Sequence, residues 1–272
     1  MRTGALPCGP VFTPEGRERL RAALVAEAEA DPRITGAALV GSAARDREDQ
    51  WSDIDLALCL DADADVDEVV REWTDRLHRE HHVVHHLDVR RGATLFRVFL
   101  FHDTLQVDLS FWPPAEFGAT EPAFRLLFGT AADVPRSRPP LALDLVGMGW
   151  LHALHARSSI ARGRVWQAEH MVSGLRDQVL ALACLRHGLP AVQGRGMDDL
   201  PTEVTAPLGT TLVRTPDRTE LVRAFGATVE AFLAEVTLVD AELASGITTT
   251  MRELVETSVA PRCGGHERPP GR

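Results

Sequence analysis

The sequence predicts an α+β chain: a mixed β-sheet with flanking helices in the N-terminal half, followed by an α-helical C-terminal half. Three observations support this prediction. Short apolar runs with alternating polarity cluster at residues 34–60 and 83–112, as is typical of strands. A proline-rich stretch at residues 129–140 then interrupts the pattern. Beyond it, apolar residues recur at helical spacing up to about residue 259.

Composition bounds the class of protein. The chain has 272 residues, 44% hydrophobic and 25% charged, which is ordinary for a globular protein with an ample core. The net charge of −10 argues against nucleic-acid binding, because phosphate contacts need a basic surface. The four cysteines lack metal or redox spacing and no apolar run is long enough for a membrane span, so a cytoplasmic protein is expected.

The first half contains most of the predicted strands. Thr13-Pro14-Glu15 predicts a helix start, and Asp31-Pro32 predicts its end. The next expected elements are a strand at 34–40, a short helix at 42–48, a strand at 53–60, a helix at 66–81, and strands at 83–89, 94–101 and 105–112. Residues 113–128 are expected to connect the sheet to the linker and to pack against the sheet.

The second half is predicted to be helical throughout. The expected helices are at 141–161, 166–187, 219–233 and 236–259, with a looser stretch at 188–217. We therefore expect a sheet domain at residues 1–128, a helical domain at 141–260, and a disordered tail at 261–272 that is rich in glycine and proline.

The stretch around residues 38–56 contains the main candidates for metal and phosphate binding. Asp53 and Asp55 alternate with apolar residues, so a strand here places both carboxylates on one face. Adjacent carboxylates repel each other unless a cation lies between them, and hard oxygen ligands suit Mg²⁺. Gly41-Ser42 ends the preceding strand, and free backbone N–H groups at such a turn can hold a phosphate. The chain has no lysine, so phosphate binding must rely on backbone N–H groups, Ser, Thr, Arg or a metal.

A third acidic residue is predicted on the polar face of a later strand. Gln106, Asp108 and Ser110 alternate with apolar residues in the expected strand at 105–112. A carboxylate there, on a strand near Asp53 and Asp55, is what a two-metal site needs, where it can bind metal and lie near an attacking hydroxyl.

These residues fit a family pattern. A Gly-Ser pair, ten intervening residues, Asp-Ile-Asp-Leu and a later Val-Asp-Leu together resemble the nucleotidyltransferase superfamily typified by DNA polymerase β. Because a helical region follows, the chain is most similar to its small-molecule branch, the aminoglycoside and lincosamide nucleotidyltransferases of antibiotic resistance. The motif match covers residues 38–110. One departure is Asp46, where the family often has glycine.

The resemblance implies a role for each motif residue. Gly41 and Ser42 would hold a triphosphate, Asp53 and Asp55 would bind Mg²⁺, and Asp108 would be a further metal ligand, the general base or both. The sheet domain would be catalytic and the helical domain would bind substrate. The reaction would transfer a nucleoside monophosphate from a nucleoside triphosphate, with ATP expected, to a hydroxyl of a small molecule and release pyrophosphate.

Two further groups have alternative interpretations. Arg45 either binds phosphate or pairs with Asp46 or Glu48 at the surface. On the expected helix at 166–187, one stripe contains Glu169, Ser173, Arg176 and Asp177. That stripe either faces the cleft, with Glu169 as an accessory base and Arg176 on phosphate, or is a solvated and salt-bridged surface.

Three function hypotheses remain open at this stage. The first is a small-molecule nucleotidyltransferase whose partners are a nucleoside triphosphate and a hydroxylated acceptor, acting as a monomer or homodimer. The second is the same chemistry on a protein or an RNA end. The third is a non-catalytic nucleotide-binding module, and three converging carboxylates weigh against it.

Overall fold

The computed structural model of the chain describes residues 11–119 and 123–259. The chain divides into two compact units, and the boundary between them lies between Ser137 and Arg138. The first unit contains a six-stranded mixed sheet and the second is helical, so the α+β prediction is confirmed. The expected disordered tail at 261–272 lies outside the described residues.

The elements of the first unit begin close to where the sequence predicts them. The side chain of Thr13 caps the first helix by accepting a hydrogen bond from Gly16 N. The elements are α1 (Pro14–Ala30), β1 (Ile34–Val40), β2 (Ile54–Leu60), α2 (Val66–Glu80), β3 (Val83–Arg91), β4 (Thr94–Phe101), β5 (Gln106–Trp112) and β6 (Phe124–Phe128). A single 3-10 turn, Ala43–Arg45, follows β1.

The sheet has one parallel pair at its centre. Its strand order is β3-β4-β5-β2-β1-β6. Strands β2 and β5 run parallel, and each of the other neighbouring pairs is antiparallel. Because β2 and β5 run in the same direction, both strands begin at the same end of the sheet.

The two faces of the sheet bury different clusters. The first face packs with α1 and α2 in the main core, which includes Leu24, Leu56, Trp73, Phe99 and Leu109. The second face carries a smaller cluster formed by Ala38, Ala57, Cys59, Trp112 and Phe117. Because side chains alternate between faces along a strand, Asp55 and Asp108 share the second face with Ala57 and Trp112.

Two predictions for the first unit were wrong. The expected connecting segment contains β6, which pairs antiparallel with β1, for example Ala38 with Leu126. A five-residue edge strand is too short to show a clear period in sequence. The expected helix at 42–48 is only the 3-10 turn, because Asp46 takes a left-handed conformation, with φ 53°, and ends it.

The second unit is built from helices packed around their own core. Its helices are α3 (Ala142–Ala161), α4 (Val165–Arg186), α5 (Thr202–Thr205), α6 (Arg218–Val239) and α7 (Ala241–Ser258). Helix α6 continues six residues beyond the expected end at 233, and the break falls at Asp240, whose side chain caps α7 at Leu243 N. Among the described residues, no helix has the length and apolar character needed to cross a membrane.

Candidate functional site

The parallel pairing of β2 and β5 brings two of the predicted carboxylates together. Asp55 and Asp108 are direct partners in the β2–β5 register, and neighbouring strands lie about 4.8 Å apart. Asp53 lies just before β2, and Gln106 Nε2 on β5 donates to its Oδ2 over 3.1 Å. Carboxyl groups from two strands therefore lie close together on the second face, at the end of the sheet where β2 and β5 begin.

The Asp108 carboxyl is partly buried and its pKa is raised. Its Oδ1 is buried and accepts no hydrogen bond from a described residue. Burial, followed by the negative charge of Asp53, raises the pKa of Asp108 to about 6, against a smaller opposing effect of Arg91. A buried, unsatisfied carboxylate beside like charge destabilises the fold and is typical of a site that receives a cation or a proton.

This perturbation predicts a pH-dependent gain in stability for Asp108→Asn in metal-free protein. The folded-state pKa of about 6 exceeds the unfolded value of about 3.9. The ionised carboxyl is therefore disfavoured in the fold, and wild type loses stability as pH rises through that window. At pH 7.5 the free energy of unfolding of the variant should exceed that of wild type by about 1–3 kcal/mol.

The measurement for Asp108→Asn is urea unfolding in EDTA at pH 7.5 and at pH 4. At pH 4 Asp108 is protonated in the folded protein, so most of the difference should vanish. A difference of equal size at both pH values would show that it does not come from this carboxyl.

The Gly41 turn lies against Asp55. Gly41 has a φ of +62°, and a Cβ built on it would lie 2.0 Å from Asp55 Oδ2. Only glycine fits both the conformation and the space. After the turn, the Ser42 carbonyl accepts hydrogen bonds from Arg45 N and Arg47 N, each 3.1 Å long. The turn and the carboxylates therefore form one continuous site.

Asp46, where the resemblance expects glycine, adopts a left-handed conformation. Its left-handed φ of 53° is the conformation that glycine would adopt most easily, and aspartate is among the few other residues that tolerate it. Arg125 on β6 holds the turn, because its Nη1 pairs with Asp46 Oδ1 at 2.6 Å and its Nη2 donates to Ala43 O at 2.7 Å. No sequence pattern indicates this contact of Arg125, because β6 is not predicted from the sequence.

The two surface partners considered for Arg45 are both occupied. Asp46 pairs with Arg125, and Glu48 pairs with Arg21 at 2.7 Å. Arg45 is exposed and has no ion pair with any described residue. Its guanidinium, next to the Gly41 turn, therefore remains available to an anion.

A buried arginine supports the loop that leads into Asp53. Arg17 on α1 is 3% exposed, and its Nη1 donates to Asp49 O over 2.6 Å and to Ser52 O over 2.9 Å. Its Nε lies 3.4 Å from Glu48 Oε1. Arg17 therefore positions the loop from a distance, and a helical pattern in sequence does not reveal such a contact.

Arg91 is a second residue that sequence reasoning missed. It ends β3 and pairs with Thr94, which places it on the same face as Asp108. Its guanidinium carbon lies 5.7 Å from the centroid of the Phe96 ring. Arg91 has no ion pair within residues 11–119 and 123–259. It is therefore a positive charge on the carboxylate face that forms no ion pair with a described residue, and its charge opposes the rise in the pKa of Asp108.

The stripe on α4 forms a hydrogen-bonded chain within the helical unit. Ser173 Oγ donates to Glu169 Oε1 over 2.6 Å, and Arg176 Nη2 donates to Ser173 Oγ over 2.9 Å. Arg176 Nη1 also donates to Thr211 O over 3.3 Å. Asp177 is exposed. Three side chains of the stripe are thus half-buried and joined by hydrogen bonds, and the fourth is exposed.

Two groups of side chains could bind a metal ion, and their ligand atoms are spaced differently. In the described part of the chain, one trio has ligand atoms all within 4.8 Å of one another: Glu27, Glu80 and His81. Glu27 in that trio is already paired with Arg76 at 3.2 Å. The ligand atoms of Asp53, Asp55 and Asp108 are spaced more widely. These side chains would therefore have to rotate to enclose a cation. No hydrogen bond from a described residue to Asp108 Oδ1 hinders that rotation.

Comparisons with known proteins leave the family unassigned. No protein-family model matches the sequence, and no curated protein matches it. Among solved structures, the chain is similar to an aminoglycoside 6-adenyltransferase from Bacillus subtilis, with 17% sequence identity and a TM-score of 0.39. The match covers 88% of this chain and 97% of the other.

Proposed function

We propose that the protein is a Mg²⁺-dependent nucleotidyltransferase. It moves a nucleoside monophosphate from a nucleoside triphosphate, which we expect to be ATP, to a hydroxyl of a small molecule. One observation supports this proposal more than any other. The parallel pair β2–β5 sets Asp55 beside Asp108, and Asp55 also contacts the glycine of the Gly41-Ser42 turn. A place for phosphate and a place for a cation are therefore contiguous.

The residues present fit a hard divalent cation. Their donors are carboxylate oxygens, which Mg²⁺ prefers, and one of them, Asp108 Oδ1, is buried without a partner among the described residues. Asp53, Asp55 and Asp108 would hold the ion. When bound, it supplies neutralising charge for the triphosphate and for the oxygen that leaves.

The Gly41 turn and Arg45 would hold the triphosphate. Gly41 lets the backbone approach the ligand closely, and the N–H groups at the start of the 3-10 turn would bind the anion. Arg45 adds a guanidinium, which binds phosphate oxygens through two parallel hydrogen bonds. In a chain without lysine, this is the chemistry that remains for phosphate binding.

Asp108 would act on the acceptor. Its Oδ1 accepts no hydrogen bond from a described residue, so this carboxylate oxygen is placed to take a proton from a hydroxyl. The acceptor oxygen forms a bond to the α-phosphorus, the bond from that phosphorus to the bridging oxygen breaks, and pyrophosphate leaves with the electron pair. The hydroxyl proton passes to Asp108 and then to solvent.

The α4 stripe supplies two further candidates within the proposal. Glu169 would be an accessory base and Arg176 a phosphate ligand, as one interpretation of the stripe in the sequence expects. Their hydrogen-bonded chain through Ser173 holds both side chains in defined positions. The acceptor class within the family is aminoglycoside-type or lincosamide-type, and transfer to a protein or an RNA end is the alternative.

Pyrophosphate release tests the proposal. Wild-type protein with ATP and an acceptor panel should release pyrophosphate in MgCl₂ and lose that activity in excess EDTA. It should recover on readdition of Mg²⁺ but not of Ca²⁺, because Ca²⁺ prefers longer and more numerous oxygen contacts. ATP binding without turnover on any small molecule, protein or RNA would contradict the proposal and favour a non-catalytic nucleotide-binding module.

A further inference from the structure

We propose that an apolar patch on β3 and β4, next to Asp108, binds the acceptor, and that the acceptor is an amphipathic small molecule with an apolar face and a neutral or anionic oxygen group. The patch consists of Leu87, Val89, Val98 and Leu100. This inference rests on the proposed function, and it narrows the acceptor class by disfavouring polycations.

The strand register places the patch beside the reacting group. Val98 is the direct partner of Asp108, and Leu100 is the partner of Gln106 in the antiparallel β4–β5 pair. On the next strand, Leu87 is the partner of Val98. Direct partners point to the same face of a sheet, so the patch continues the face that carries the carboxylates, on the side away from the Gly41 turn.

Most apolar side chains of the patch are exposed. The exposed fractions are 61% for Leu87, 40% for Val89 and 48% for Leu100. On the opposite face of the same strands, Leu95 and Phe99 are almost fully buried against the helices. Several exposed apolar side chains on one continuous face indicate a binding surface.

The position of the Gly41 turn assigns this patch to the acceptor rather than to the nucleotide phosphates. In the strand order, β1 and its Gly41 turn lie on one side of β2, whereas β5, β4 and β3 lie on the other. A triphosphate on the turn therefore leaves the β4 side of Asp108 for the molecule whose hydroxyl Asp108 deprotonates.

Charge at the edge of the patch decides between acceptor classes. Arg91 lies on the same face and stacks on Phe96, with no carboxylate partner among the described residues. The nearby Glu116 is engaged elsewhere, because it accepts hydrogen bonds from Thr94 Oγ1 over 2.8 Å and from Ala93 N over 3.3 Å. With the three aspartates neutralised by the cation that they would hold, the Arg91 guanidinium repels a polycation and attracts a carbonyl, hydroxyl or acidic oxygen.

A binding experiment tests the patch without requiring turnover. Methyl NMR spectra of the full chain, labelled at Leu and Val, are recorded while 8-anilinonaphthalene-1-sulfonate, an aromatic anion, is added. We expect the methyl signals of Leu87, Val98 and Leu100 to shift, while those of Leu126 do not. Leu87→Ser and Arg91→Gln should each weaken this binding about tenfold.

Leu126→Ser is the matched control. Leu126 is 41% exposed on β6, at the opposite edge of the sheet, and its replacement should leave binding unchanged. Equal binding by Leu87→Ser and Leu126→Ser would overturn the inference. So would sedimentation showing that Leu87→Ser converts a dimer to a monomer with no change in binding, because the patch would then be an interface between two copies.

Turnover separates this inference from the proposed function. With ATP and MgCl₂, lincomycin, which carries an apolar side chain and one amine, should support faster pyrophosphate release than kanamycin, which carries several amines. The substitution Leu87→Ser should raise the KM for lincomycin about tenfold. Faster release with kanamycin would overturn the inference and leave the proposed function standing. Absence of release with any acceptor would count against the proposed function itself.

Discussion

Asp55→Asn is expected to reduce nucleotidyl transfer at least about a thousandfold while leaving the fold intact. The neutral amide keeps the volume of the side chain but removes the charge that would hold the cation. Cation-assisted charge neutralisation contributes several kcal/mol to the transition state, and each 1.36 kcal/mol changes the rate about tenfold. The rate of pyrophosphate release measures the effect, and circular dichroism confirms the fold.

Asp63→Asn is the matched control for Asp55→Asn. Asp63 is exposed in the turn after the same strand, so its replacement changes net charge equally without touching the site. It should retain wild-type activity. If Asp55→Asn also retained activity, Asp55 would not be a metal ligand, and the assignment of Asp53 and Asp108 would lose its geometric basis.

Gly41→Ala is expected to have the second largest effect. The new Cβ would meet Asp55 Oδ2 at 2.0 Å, and the φ of +62° is unfavourable for alanine. The left-handed conformation costs about 1–2 kcal/mol, and Asp55 must move as well. We expect a loss of about 1–3 kcal/mol in the free energy of unfolding, with a loss of at least about a hundredfold in kcat/KM because a misplaced ligand misaligns the reacting groups.

Gly188→Ala separates the two causes. Gly188 has a φ of +68°, close to that of Gly41, but nothing lies within 4 Å of the position of its Cβ. It should lose similar backbone stability and keep full activity. If both variants were equally active, the contact between Gly41 and Asp55 would have no bearing on catalysis.

The elements with strong local signals were predictable from sequence. The bounds of β1 and β4 match the expected strands at 34–40 and 94–101, because each is an apolar run of ordinary strand length ended by turn residues. Strand β6 was missed because it is short and lies at the sheet edge. The α6 break was misplaced because the apolar period continues across it, whereas the actual signal is the single cap Asp240.

The candidate site was predictable only where spacing along the chain fixes geometry. Alternation places Asp55 on the polar face of its strand, but no local pattern reveals that β5 is its parallel neighbour, since 52 residues separate Asp55 from Asp108. Arg17 and Arg91 were missed for the same reason. Their contacts with the loop before Asp53 and with Phe96 depend on tertiary packing rather than on sequence period.

The most direct test locates the cation. Crystals soaked with Mn²⁺ and a non-hydrolysable ATP analogue would give an anomalous diffraction signal at each bound ion. A peak coordinated by Asp53, Asp55 and Asp108, with the triphosphate on the Gly41 turn, is the predicted result. A protein-bound peak at Glu27, Glu80 and His81 alone, or none near Asp55, would contradict it.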